Sequence, residues 1–107
     1  MHRLRLSVPS ANSLFVFEAA ARRLSYTAAA KELNVSQPAV SKAIKLLEGT
    51  LGFKLFHREA GRLELTFEGR RLYHETQDTF DHLHSVIASL KRRNAKETVR
   101  VSFSSSF

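Results

Sequence analysis

Cysteine is absent from the 107 residues, which excludes a disulfide framework and any thiolate metal site. No apolar run approaches the ~20 residues that a membrane-spanning helix needs. Residues 1–11 also lack the apolar centre of a signal peptide. These absences lead us to expect a cytoplasmic protein with no membrane partner. No G-x-S-x-G, Walker, H-E-x-x-H or paired-carboxylate arrangement occurs, so an enzyme would have no candidate machinery, and no catalytic residue or cofactor is expected. Acidic side chains are scarce beside basic ones, 10 against 17, for a formal charge of +7.

The placement of that charge is informative. Residues 1–72 carry 12 basic and 6 acidic side chains, a net of +6. Residues 73–90 carry no basic and 3 acidic ones, a net of −3, and residues 91–107 carry 5 and 1, a net of +4. A basic front followed by an acidic, apolar helix points to a polyanion as partner of the first and a protein as partner of the second. Solubility alone would account for the excess equally well. A chain of this length suits one small domain whose core gains from oligomerisation.

The stretch from Leu24 to Gly52 organises the rest. Ser25 can cap a short helix through Leu33, in which Ala28, Ala29 and Ala30 allow close packing. Asn34 and Val35 make a turn, and a second helix starts at Ser36, with Pro38 in its first turn costing no hydrogen bond. With Val40 at zero on a wheel of 100° per residue, Ile44, Leu47 and Leu51 fall within about 40° of it. Pro38, Ser41, Lys42 and Lys45 fall on the other side, with Gln37 at the flank. One face suits a core; the other offers hydroxyls, an amide and ammonium groups to something polar and negative, as the major groove of DNA is. Helix, four-residue turn, helix is the helix-turn-helix pattern.

Around this stretch, residues 1–8 read as a loose basic terminus with Arg3 and Arg5 available to a DNA backbone. Pro9 and Ser10 open a first helix to about Arg23, its period kept by Leu14, Phe17, Ala21 and Leu24, with Phe15 and Phe17 both expected in the core. Gly52 should end the second helix of the motif. Residues 53–58 and 62–65 read as strands around a three-residue loop, Glu59-Ala60-Gly61, with a left-handed position at Gly61. This hairpin would be the wing of a winged helix-turn-helix, and Arg58 and Arg62 flank its tip, placed to hold phosphates or reach into a minor groove; taken alone, they read rather as two solvated strand-end charges.

Thr66 can cap a long last helix, with Glu68 in its first turn. Tyr73, Thr76, Phe80, Leu83, Ile87 and Leu90 recur at steps of 3, 4, 3, 4 and 3, a heptad seam. The alternative, packing on its own domain, is less favoured because three helices and a wing already cover the small core. A homodimer through this seam is therefore expected. His74, Asp78 and His82 share a face at steps of four but have no evident fourth ligand, and no metal is expected there. After a basic run at 91–96, residues 97–103 alternate like a strand.

The runs Ala19-Ala20-Ala21-Arg22-Arg23-Leu24-Ser25-Tyr26-Thr27-Ala28-Ala29-Ala30 and Leu33-Asn34-Val35-Ser36-Gln37-Pro38-Ala39-Val40-Ser41-Lys42 closely resemble the DNA-binding domain of LysR-type bacterial transcriptional regulators. Leu46-Leu47-Glu48, Leu51-Gly52, Leu55-Phe56, Arg58, Leu65-Thr66 and Gly69 extend the resemblance over roughly residues 8–93. It implies a mostly α fold: a winged helix-turn-helix over 1–65, a long linker helix over 66–93 that pairs antiparallel with its twin, and a hinge over 94–107 entering a truncated effector-binding domain. Without that domain's sheet, Val99, Val101 and Phe103 would have no obvious home, and disorder or edge pairing is expected.

The implied function is sequence-specific double-stranded DNA binding as a dimeric transcription regulator. A tetramer is open to a full-length protein, and a small-molecule effector would bind only through the missing domain. Gln37, Pro38, Ser41 and Lys42 would meet base edges, while Ser25, Thr27, Ser36, Lys45, Arg58, Arg62 and Thr66 would hold phosphates, with Tyr26 supporting or touching the backbone. Two departures from the family pattern stand out. Lys42 replaces a common arginine, exchanging a bidentate fork for a point charge, and Phe67-Glu68 replaces an acidic-alanine pair. The rival readings are a sequence-indifferent architectural DNA-binding protein and a protein-interaction module whose basic face is only solubilising.

Overall fold

The computed structural model describes residues 10–105, with side-chain surroundings for residues 10–97. Arg3, Arg5 and Pro9 lie outside the described residues, as do the side chains of Val99, Val101 and Phe103. The order of elements is α1 (Ala11–Arg23), α2 (Tyr26–Leu33), α3 (Gln37–Leu51), β1 (Phe56–Glu59), β2 (Arg62–Leu65) and α4 (Phe67–Ser105). Three helices, a hairpin wing and a long last helix make up the mostly helical fold that the sequence implied. No described helix is long and apolar enough to cross a membrane.

Each of the first three helices starts on a serine whose side chain accepts a free amide of the first turn. The Ser10 hydroxyl accepts from Ser13 N at 3.2 Å, that of Ser25 from Ala28 N at 3.0 Å, and that of Ser36 from Ala39 N at 3.2 Å. The ends of α1 and α2 are left-handed residues, Leu24 (φ 48°) and Asn34 (φ 60°). At the end of α3, Gly52 N donates to the Glu48 carbonyl at 2.8 Å.

The core gathers Phe17, Ala19, Ala20 and Ala21 of α1, Ala29 and Ala30 of α2, and Val40, Ile44 and Leu47 of α3 around Leu55, Phe56 and Leu63. The alanines bring α1 and α2 close together, and Phe17 meets the Phe56 ring edge-on, with centroids 5.8 Å apart. Phe15, expected in the core, is 52% exposed. Two residues from Phe17 it points about 200° away, so one helix cannot bury both on a single face. Leu24 is likewise exposed, because its left-handed backbone ends the helix and turns its side chain off the stripe.

The last turn of α3 is joined to the wing by Glu48. Its buried carboxylate accepts Leu55 N at 2.7 Å and Phe56 N at 3.3 Å through one oxygen. Lys54 Nζ stands 3.9 Å from the other oxygen. Two amides thereby leave the strand ladder, and β1 begins at Phe56 rather than at residue 53 as the apolar run suggested. The Leu55 carbonyl then accepts Thr66 N at 3.0 Å. A Cβ on Gly69 would stand 2.1 Å from the same carbonyl oxygen, so only glycine lets α4 pass this closely.

The wing differs from the expected three-residue loop. Glu59 pairs with Arg62, leaving a two-residue turn of Ala60 (φ 52°) and Gly61 (φ 78°). Both central residues are left-handed, which matches the right-handed twist of the strands. Gly61 accepts this conformation without cost, whereas Ala60 carries the steric penalty of a Cβ.

The chain divides into two units, Met1–Thr76 and Gln77–Phe107. Within the first, Leu72 and Tyr73 pack against the core and Thr76 is buried. In a single chain Thr76 is thus buried and Tyr73 half-buried. Within the second unit, Leu83, Val86, Ile87 and Leu90 are exposed. The strand expected over residues 97–103 is instead part of α4. No glycine or proline interrupts residues 91–103, and Arg93 and Glu97 form an i,i+4 pair at 3.4 Å. A helix satisfies its own backbone, while a lone strand needs a neighbour.

Two outcomes follow for stability in chemical denaturation. Glu48→Ala strands two amides and should lose about 2–4 kcal/mol, with Glu48→Gln, which keeps one acceptor oxygen, losing less. Ala60→Gly should gain about 0.5–1 kcal/mol by relieving the left-handed position; a loss would contradict the turn assignment.

Candidate nucleic-acid interface

The buried stripe of α3 is nearly complete: Val40 and Ile44 are 1% exposed and Leu47 2%. Its opposite side carries Pro38, Lys42 and Lys45 in solvent, with Ser41 half-buried among them and Gln37 exposed at the flank. Burial of one stripe therefore fixes the roll of the helix about its axis and holds the polar stripe outward. No described protein segment buries Lys42 or Lys45.

A cleft of about 410 Å³ opens beside the amino end of α3. It is lined by Ser25, Tyr26 and Thr27 from the start of α2, Gln37 from the start of α3, and Arg58 and Arg62 from the wing. Five residues expected at DNA from the sequence, namely Ser25, Thr27, Gln37, Arg58 and Arg62, are thus brought together around one concavity. Two helix amino ends open near it, and their free amides and dipoles favour an anion. The hydroxyls of Ser25 and Ser36 accept from their own helices, which leaves each hydroxyl proton to be donated outward.

Arg58 shares a face of the hairpin with the buried Leu63, across from which it pairs, yet its own side chain is exposed at the tip. Tyr26 is half-buried, its ring edge-on to Phe56 at 5.5 Å. Burial, reinforced by the Glu48 charge and opposed by Arg58, pushes its phenol up to about 12. The hydroxyl remains a hydrogen-bond donor at neutral pH.

Thr66 stands apart from this group. Its hydroxyl donates to the Lys54 carbonyl at 2.8 Å and accepts Gly69 N at 2.9 Å. The hydroxyl thus caps α4, as expected from the sequence, and Thr66 does not line the cleft. Ser36, Pro38, Ser41, Lys42 and Lys45 are not among the residues lining the cleft, and continue the polar surface along α3.

The basic excess of the front half is partly cancelled within the chain. Arg22 binds both Glu18, at 2.9 Å, and Glu32, while Arg23 donates to Glu32 at 2.9 Å. Hydrogen bonds from Arg22 and then Arg23 lower the Glu32 carboxyl to about 2, and those from Glu32 and Glu18 raise the Arg22 guanidinium well above its usual range. These two arginines are thereby occupied on the α1–α2 side. Lys42, Lys45, Arg58 and Arg62 make no ion pair among the described contacts.

Glu48 is the structural residue that sequence reasoning did not single out. The signal was present: it lies about 80° from Val40 on the wheel, at the margin of the apolar stripe, where a lone carboxylate needs donors.

Comparison with known proteins agrees with this geometry. The chain is 46% identical over 100 residues to the glycine cleavage system transcriptional activator of Escherichia coli (strain K12), covering 94% of this chain and 33% of that protein. It is 42% identical over 106 residues to the HTH-type transcriptional activator AmpR of Providencia stuartii, covering 99% of this chain and 35% of that one. The chain thus spans about a third of the length of these curated relatives. Among solved structures, the BenM DNA-binding domain in complex with benA site 1 DNA superposes with a TM-score of 0.72 at 28% identity, over 78% of this chain and 94% of that one. Residues 11–70 match the model of the bacterial regulatory helix-turn-helix proteins of the lysR family. That match covers more than half of the 107 residues, and the chain belongs to the LysR family of bacterial transcription regulators, which are not enzymes.

Proposed function

We propose that this chain is the part of a LysR-type regulator that reads double-stranded DNA sequence-specifically, as a dimer. The observation that supports the reading best is the pairing of an exposed polar stripe on α3 with the cleft that gathers Ser25, Thr27, Gln37, Arg58 and Arg62. The stripe has the width of one helix face, suited to the major groove, and the cleft lies where flanking phosphates would pass. The BenM domain, similar in fold to this chain, was crystallised on DNA.

In this reading Gln37 pairs with an adenine edge, Lys42 donates to guanine, and Ser41 and Pro38 fit against neighbouring bases, Pro38 against a thymine methyl. Ser25, Thr27, Ser36, Lys45, Arg58 and Arg62 hold phosphates and set the register without reading sequence. Tyr26, protonated and braced on Phe56, supports the same wall of the cleft.

Dimerisation is carried by Leu83, Ile87 and Leu90, with Val86 beside them, whose exposure in a single chain is 54%, 45%, 56% and 41%. Burying each such side chain contributes about 1.5–3 kcal/mol. Two copies would place two α3 helices at successive major grooves of a pseudo-palindromic site. A longer regulator would carry its effector pocket outside the residues of this chain.

With a duplex selected by this chain from a random pool, fluorescence anisotropy at two salt concentrations should separate the two kinds of contact. Gln37→Ala should cost ~1–3 kcal/mol at one base position and little on scrambled DNA, while Arg58→Ala should weaken every duplex and lower the salt slope by about one. Equal losses on all sequences for Gln37→Ala would reject base reading and favour an architectural role. In sedimentation equilibrium, Ile87→Glu should raise the dimer dissociation constant by roughly 100-fold or more; an unchanged dimer would reject the seam.

A further inference from the structure

Strand alternation divides the wing into two faces. Phe56, Arg58, Leu63 and Leu65 form one, turned to the core except at its tip; His57, Glu59, Arg62 and Glu64 form the other, and all four are exposed. The cleft and the core account for the first face. Of the second face only Arg62 has a part in the DNA reading described above; the other three, His57, Glu59 and Glu64, are metal-ligating side chains. His57 pairs directly across the strands with Glu64, and Glu59 lies two residues from His57 on the same strand. One ligand atom from each of His57, Glu59 and Glu64 lies within 4.8 Å of the other two. His57 Nε2 is 3.9 Å from Glu64 Oε2.

We propose that the outer face of the wing binds a divalent transition-metal ion of the zinc class through the His57 imidazole and the Glu59 and Glu64 carboxylates. Zinc bonds of ~2.0–2.2 Å at tetrahedral angles put neighbouring donors ~3.4 Å apart, so the three groups need to close by up to about 1.4 Å. Rotation of exposed side chains supplies that movement without displacing backbone. An imidazole nitrogen beside two carboxylates selects a borderline ion of the first transition row over magnesium or calcium, which prefer oxygen alone. The hairpin register pre-sets the three Cα positions, and remaining coordination positions face water.

The interactions that the ion replaces are weak. An exposed His–Glu pair contributes little to stability even when the imidazole is protonated, and Glu59 has the Arg62 guanidinium as its cross-strand neighbour. With Glu59, Glu64 and Arg62 charged, this face carries a net of −1, and a bound dication makes it +1. If the DNA reading above holds, the ion would strengthen the wing's attraction for phosphates beside Arg62. Sequence spacing alone did not reveal the set, since its ligands come from two strands and converge only in the observed register.

Calorimetric titration of zinc into the 107-residue chain, without DNA, tests the site independently of that reading. One ion should bind per chain, and His57→Gln and Glu64→Gln should each weaken uptake at least tenfold while leaving thermal unfolding of the metal-free protein unchanged. The combined variant His2→Gln, His74→Gln, His82→Gln should keep the wing's ion. Absence of uptake, uptake unaffected by His57→Gln, or loss in the combined variant would each overturn the proposal.

Discussion

The carboxylate of Glu48 is the interaction on which the arrangement of the interface depends. One oxygen receives the amides of Leu55 and Phe56, so the last turn of α3 is tied to the start of the wing by hydrogen bonds made away from water. A buried carboxylate holds such donors strongly because leaving it unpaired is costly. The consequence reaches the surface: β1 starts where those amides end, and its register with β2 then places Arg58 and Arg62 at the mouth of the cleft. Leu55 continues the chain of constraint, its carbonyl accepting Thr66 N and lying against Gly69. Recognition helix, wing and the first turn of α4 are thereby fastened at one place.

A second constraint sets what α3 shows to solvent. Val40, Ile44 and Leu47 must be buried against the alanines and Phe17, and the 3.6-residue repeat then turns Lys42 and Lys45 outward, while Gln37, at the flank, is exposed as the first residue of the helix. Charge follows the same division. Arg22 and Arg23 are held by Glu18 and Glu32 on the α1–α2 side, whereas Lys42 and Lys45 of α3 and Arg58 and Arg62 of the wing make no ion pair among the described contacts. Net charge alone would have assigned all of them to a polyanion equally.

Much of this was legible in the chain because it is local. Ser10, Ser25, Ser36 and Thr66 cap helices by contacts three residues long, and the stripe on α3 is a matter of period. What escaped reading depends on distance. Whether Phe15 or Phe17 faces the core requires knowing where the core lies. The two-residue turn at Ala60 depends on strand register rather than composition, since alanine is an unusual choice for a left-handed position. Residues 97–103 alternate like a strand, but helical continuity from residue 91 decides their state. The cleft was foreseen as a set of residues and not as a place.

The central claim is that the stripe opposite Val40, Ile44 and Leu47 is the surface that meets DNA. The most direct measurement is an NMR titration of the chain with its selected duplex, followed at backbone amides and at the Gln37 side-chain amide. The account predicts large shifts at Ser25, Thr27, Ser36, Gln37, Ser41, Lys42 and Arg58, with small ones along the exposed face of α1 that carries Phe15. Shifts concentrated on α1 or the outer face of the wing, with Gln37 and Lys42 unmoved at saturation, would contradict it.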